Sequence, residues 1–241
     1  MASDLTSKSV CVFCGSSPGS DPIYLQVAAQ IGHSIANKGW RLVYGGGQRG
    51  CMGQVSNAAL QSNGHVLGVM PKVMLGAARG HAGDATANTG STEGTGEVTL
   101  HADSDQQSHR LQLEMVDDMH ERKQLMAQQS GLGFIGLPGG FGTFEEVMEM
   151  VTWTQLGIHR KPVVLVNVNN FWSPLKALVE QAVQAGFILE KNSSLITFVD
   201  LDQAGPGTDW GEAVVAAIER ESEQVQSTTG YWDWNSTKEA K

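Results

Sequence analysis

The strongest constraint on what this chain can fold into is a series of short, uniformly apolar runs, each closed by glycine, proline or a helix-like stretch. Ser9–Cys14, Arg41–Tyr44, His65–Met70, Leu132–Leu137, Pro162–Asn167 and Leu195–Val199 lack the in/out alternation of a strand with one wet face. Strands of that kind are buried on both sides, as parallel strands are when helices cover the sheet. Between them lie helical patterns. Tyr24, Val27, Ala28, Ile31 and Ile35 recur at helix spacing behind an Asp21-Pro22 start and stop at Gly39. Further helices are expected over Gly53–Ser62, Thr143–Leu156 and Phe171–Ala185. Repeated β-α-β order with right-handed crossovers predicts an α/β fold: a single-domain, doubly wound (Rossmann-like), mostly parallel sheet flanked by helices. Ligands in such sheets bind beyond the carboxyl ends of the strands, where each glycine cluster here falls.

At 241 residues the chain is long enough to bury a core, and it reads as one domain over 1–220 with a tail over 221–241. A loop over 76–113 interrupts the domain; from Gly76 to Arg110 it is rich in Gly, Ala, Thr, Ser and Asp and has no periodicity. Segments of that length and composition are disordered or act as lids, and disorder is the first reading here. The tail holds Tyr231, Trp232 and Trp234, which suits docking on a neighbouring surface. An excess of 25 acidic over 16 basic residues, a formal net charge of −9, argues against nucleic-acid binding. No apolar run approaches the ~20 residues that span a bilayer. Met1–Ser9 carries no leader pattern, so a cytoplasmic protein without membrane attachment is expected.

Several motif spellings fail on physical grounds. Cys11-Val12-Phe13-Cys14 has CxxC spacing, but residues three apart on a strand face opposite ways, and no second cysteine pair completes a metal site. The three cysteines read as core residues. Gly45-Gly46-Gly47-Gln48-Arg49-Gly50 matches GxGxxG, yet the next strand tip, Val69-Met70-Pro71, has no carboxylate for a ribose. Two readings of these glycines stay open: close approach of backbone N–H groups to a phosphate, or close helix–sheet packing. The seven histidines never pair at HxxxH spacing, and His120 and His159 read as packing or supporting residues. Neither a metal nor an organic cofactor is expected.

The most informative stretch is Leu137-Pro138-Gly139-Gly140-Phe141-Gly142-Thr143-Phe144-Glu145-Glu146. A buried strand ends, two glycines turn the chain, and Thr143 is expected to cap the helix that follows. The free N–H groups and positive dipole end of that helix make an anion site. Glycine at 139, 140 and 142 lets a phosphate or sugar come close to the backbone. Glu146 stands one turn in, beside whatever is bound; by composition alone, Glu145 and Glu146 also fit plain dipole-complementing acids. Met119-His120-Glu121-Arg122-Lys123, on a helix just before the same strand, adds two cations, and Arg122 offers a planar fork for phosphate or carboxylate.

These two segments, with Thr152-Trp153-Thr154-Gln155-Leu156-Gly157-Ile158-His159-Arg160-Lys161-Pro162-Val163, resemble the LONELY GUY (LOG) family, whose hallmark is PGGxGTxxE. The likeness extends to Phe13-Cys14-Gly15-Ser16-Ser17, Tyr44-Gly45-Gly46-Gly47, Val69-Met70-Pro71 and Gly186-Phe187-Ile188, covering about residues 8–200 outside the middle loop. The resemblance implies hydrolysis of cytokinin riboside 5′-monophosphates at the N-glycosidic bond. Arg122 and Glu146 match the family's catalytic pair. Lys123, Gly139, Gly140, Phe141, Gly142, Thr143, Phe144, Glu145 and Thr152 are expected to bind the nucleotide, together with Gly15, Ser16 and Gly46. Gly96-Glu97-Val98 is the nearest match to the family's GE(T/V) element and puts Glu97 among the binding residues. Met115, Met119, Phe141 and Trp153 are candidates for an isoprenoid slot. The resemblance further implies a homodimer or larger homo-oligomer, with Met148, Val151 and Thr152 on a helix face suited to the interface. Rival readings are a general AMP nucleosidase and a non-catalytic nucleotide or molybdenum-cofactor carrier. Nothing in the sequence resembles a pyridoxal-phosphate site, which argues against lysine decarboxylation.

Overall fold

The computed structural model describes residues 6, 8–74, 109–201 and 209–225. Seven strands form one sheet: β1 (Ser9–Phe13), β2 (Arg41–Tyr44), β3 (Val66–Pro71), β4 (Leu111–Val116), β5 (Gly133–Gly136), β6 (Val163–Val166) and β7 (Ile196–Val199). Their order is β4-β3-β2-β1-β5-β6-β7, and every neighbouring pair is parallel. Among the described residues, six α-helices of ten or more residues accompany them: α1 (Ile23–Asn37), α2 (Gly50–Gln61), α3 (Met119–Gln128), α4 (Phe141–Leu156), α5 (Ser173–Gln184) and α6 (Trp210–Val225).

The uniform apolarity of the strands has the expected cause. Val10, Val12 and Cys14 point into one core with residues of α1, α2 and α6, while Cys11 and Phe13 point into a second core with α3 and α4. Cys11 and Cys14 therefore sit on opposite faces, and all three cysteines are free and buried. Burial pushes the Cys11 and Cys14 thiols well up, so neither is a nucleophile. Among the described residues no helix is long and apolar enough to cross a membrane.

Three expectations need correction. The stretch over 76–113 is not loop to its end: β4 starts at Leu111, where Leu111, Leu113 and Met115 alternate with Gln112 and Glu114 as an edge strand does. A further helix, α6, closes the first core with Val214, Val215 and Ile218 and continues past Arg220 to Val225. Finally, α4 starts at Phe141, not Thr143. Gly140 takes the N-cap position in extended conformation, and the first-turn bond runs from the Phe144 N–H to the Gly140 carbonyl at 3.0 Å. Thr143 is thus a buried residue within the first turn and not the cap. Glu97, most of the middle loop and the tail aromatics lie outside the described residues.

Strand order reverses between β1 and β5, since β1 leads toward β2 on one side and β5 toward β6 on the other. Loops diverge above such a point and leave a crevice. The two turns that meet there are tied together, the Gly15 N–H donating to the Pro138 carbonyl at 3.1 Å. Their contact is close: a Cβ on Gly139 would lie 2.9 Å from the Gly15 nitrogen and 2.1 Å from Thr143 Oγ1.

Candidate active site

Arg122 owes its place to the start of α3. Asp118 caps that helix, its Oδ1 accepting from the N–H groups of Glu121 (2.8 Å) and His120 (2.7 Å), and these bonds hold its carboxyl below the usual carboxylate range. Glu121 Oε2 reaches back to accept from the Asp117 N–H at 2.8 Å. One turn further, Arg122 points inward and is 5 % exposed. Its guanidinium has three partners. Nη1 donates to Glu146 Oε1 at 2.6 Å, Nε to the Val69 carbonyl at 3.0 Å, and Nη2 to the Gly45 carbonyl at 3.4 Å.

Glu146 is also 5 % exposed. Burial raises its pKa above the ordinary carboxylate value, and the charge and hydrogen bond of Arg122 oppose that rise without cancelling it. A carboxylate so placed is poorly solvated, and among the described residues its one hydrogen-bond partner is Arg122, on Oε1, which leaves its second oxygen for other work. Lys123, beside Arg122, sits against Glu145 Oε1 and Glu149 Oε2, at 2.5 and 3.0 Å. Burial works against the Lys123 ammonium, but hydrogen bonds and charge from Glu145 and Glu149 outweigh it and raise its pKa.

The turn in front of Glu146 differs from the packed glycines elsewhere. A Cβ built on Gly140 or Gly142 would meet nothing within 4 Å, and neither residue has a positive φ. Glycine there serves neither packing nor backbone conformation; it leaves open the start of α4, where the amides of Phe141, Gly142 and Thr143 precede the helical ladder. Beside this turn is a cleft of about 330 Å³, walled by Gly15–Gly19, Tyr24, Gly139, Gly140 and Phe171. Arg122 and Glu146 do not line it; they stand behind the turn, on the α3–α4 side of the sheet.

The structure therefore brings together Arg122, Glu146, Lys123, Glu145 and the Gly139–Thr143 turn, and sets Gly15 and Ser16 on the adjoining cleft. Gly46 lies next to Met70, beside the backbone that grips Arg122. Phe141 is 91 % exposed; Phe144 packs edge-on against Trp172, with ring centroids 5.5 Å apart. Thr152 is exposed two turns up α4 from Glu145, with its hydroxyl donating to the Met148 carbonyl at 2.8 Å. Among the isoprenoid candidates, Met119 and Phe141 are exposed near the site, whereas Trp153 packs on the His159 ring and the second core. His159 belongs to the far end of the sheet. Burial, aided by Lys161, pushes it down to about 3, so it is a neutral packing residue whose ring lies tilted against Phe134. Glu149 and the carbonyls of Gly45 and Val69 are site groups beyond those expected from the sequence. Glu149 had a signal, four residues after Glu145 on one helix face; the carbonyls had none.

A doubly wound α/β domain with a buried Arg–Glu pair behind an open glycine turn at the switch point belongs among nucleotide-handling folds. Comparison with known proteins narrows this. A family model described as possible lysine decarboxylase matches residues 52–204, and one described as the SLOG cluster4 family matches residues 7–93. The cytokinin riboside 5′-monophosphate phosphoribohydrolase LOG7 of Arabidopsis thaliana is 42 % identical over 181 residues, 75 % of this chain and 71 % of its own. The cytokinin riboside 5′-monophosphate phosphoribohydrolase of Rhodococcoides fascians is 42 % identical over 191 residues, 79 % of this chain and 83 % of its own. Among solved structures, the molybdenum cofactor carrier protein of Chlamydomonas reinhardtii matches 89 % of this chain and 98 % of its own, with a TM-score of 0.54 and 19 % identity, a likeness of fold. The chain belongs to the LOG family.

Proposed function

We propose that this chain hydrolyses the N-glycosidic bond of cytokinin riboside 5′-monophosphates, releasing the free-base cytokinin and ribose 5-phosphate. The names of its relatives support the substrate class. The observation that carries the chemistry is the Arg122–Glu146 pair buried one turn behind a glycine turn that is open for no structural reason. In this reading the 5′-phosphate lies on the amides at the start of α4, with Lys123 nearby. The ribose is then directed at Glu146. As the base departs, positive charge builds on the sugar ring; a carboxylate beside it stabilises that charge and orients or deprotonates a water. Arg122 favours the ionised form of Glu146 against the burial that opposes it. Lys123 is paired with both Glu145 and Glu149, a setting that does not suit the free, desolvated Schiff-base lysine the decarboxylase description would call for. Exposed Phe141, Phe144 and Met148 in the first turns of α4 fit a face covered by a second copy of the chain.

The test is release of free base. With N6-isopentenyladenosine 5′-monophosphate and AMP offered side by side, the prenylated nucleotide is expected to be cleaved faster. Equal cleavage would make the protein a general AMP nucleosidase, and tight binding without base release would make it a carrier. A second test uses Gly142→Ala. In a helix first turn the methyl stabilises by about 0.5 kcal/mol, so the thermal midpoint should rise slightly. The same methyl intrudes where the phosphate sits, so KM should climb while folding improves; an unchanged KM would place the phosphate elsewhere.

A further inference from the structure

Gly45, the residue just after β2, has a conformation open to any amino acid, since its φ is not positive. Space is what demands glycine there. A Cβ at this position would lie 2.2 Å from Arg122 Nη2, closer than real Cβ contacts come. The end of an arginine side chain usually yields to such a methyl, but this one is not free to. Its Nε is bonded to the Val69 carbonyl at 3.0 Å and its Nη1 to Glu146 at 2.6 Å, both buried, so relief means breaking one of these bonds. The Gly45 carbonyl adds a third contact, accepting from Nη2 at 3.4 Å.

We propose that Gly45 is a positioning residue, which by its missing side chain and its carbonyl seats the Arg122 guanidinium against Glu146. This inference rests on Arg122 and Glu146 being the working pair. Of the two readings of the glycines in Gly45–Gly50, close approach to a phosphate or close packing, the contact with Arg122 favours packing at Gly45, packing that serves the site. A Cβ on Gly47 would similarly meet Met52 Sδ at 2.8 Å, a contact with no part in the pair.

The experiment is a double-mutant cycle with Gly45→Ala and Arg122→Ala, read by base release, by its pH profile and by thermal midpoint. Small misplacements of a catalytic group cost up to about 10²-fold, so Gly45→Ala should lower kcat/KM by at least about tenfold. Its acid limb should also move to higher pH, because the guanidinium that opposes the burial of Glu146 has been pushed away. The other groups that interact with Glu146 are untouched: Lys123 on α3, Glu145 on its own helix, the Cys11 thiol on the same side of the sheet and, more remotely, the Cys14 thiol just after β1 on the opposite face. A general packing defect would reduce activity without moving the limb. In the Arg122→Ala background the methyl enters vacated space, and adding it should leave the thermal midpoint unchanged. A protein that folds with both changes but not with Gly45→Ala alone also supports the proposal. An unmoved limb, or the same midpoint loss in both backgrounds, overturns it. If Arg122→Ala is inactive while Gly45→Ala matches the parent, only this inference fails. If Arg122→Ala itself keeps the parental rate, the reading of the pair fails with it.

Discussion

Glu146→Gln is expected to lower kcat for base release by at least about 10²-fold, the scale of a single acid–base group. The amide keeps the shape of the carboxylate and can still accept from Arg122 Nη1, so the loss isolates the charge and the proton-accepting oxygen. With the carboxylate gone, nothing in the pair offsets positive charge growing on the ribose, and the transition state loses more than the bound substrate does. KM should therefore change little. Removing one charge also leaves a buried guanidinium without its counterion, and breaking a buried pair costs up to about 3–5 kcal/mol. Because the amide retains a hydrogen bond, the measured loss in chemical denaturation should fall below that range. In the unmodified protein, burial makes Glu146 harder to ionise, so it carries its proton to higher pH than an ordinary carboxyl. Because the ionised form is the active one in this reading, kcat/KM should rise with pH along a limb displaced upward from the usual carboxylate range. That limb should vanish in the amide variant.

Much of this was legible in the chain. The runs at Ser9–Phe13 and Val163–Val166 are apolar on both faces because both faces are covered, and that pattern alone fixes a parallel sheet between helices. β4 escaped because it is an edge strand: Gln112 and Glu114 break up its apolar residues, and it follows a long polar segment. α6 escaped because Glu212, Glu219, Glu221 and Glu223 lend it the look of a polar tail, although Trp210, Val214, Val215 and Ile218 supply a buried stripe. At the site, the glycine turn and the two charged partners could be read from residue types. The start of α4 could not, since Gly140 caps it through backbone conformation and without a side chain. Nor could the seat of Arg122: two of its three partners are main-chain carbonyls, which every residue possesses and no spelling reveals.

The second large effect concerns the phosphate. If the nucleotide's charged end rests on the amides at the α4 start, its binding energy serves to hold the ribose against Glu146, as remote groups do when they raise kcat and not affinity alone. A riboside lacking that group gives up both attraction and alignment. Its kcat/KM should fall by about 10²-fold or more, with much of the fall in kcat.

That comparison is the most direct trial of the account. N6-isopentenyladenosine and its 5′-monophosphate are incubated with the protein under the same conditions, and the appearance of free isopentenyladenine is followed. Rapid release from the monophosphate and almost none from the riboside is expected. Comparable rates from the two would contradict it, because the open glycine turn would then have no part in placing the sugar before Glu146.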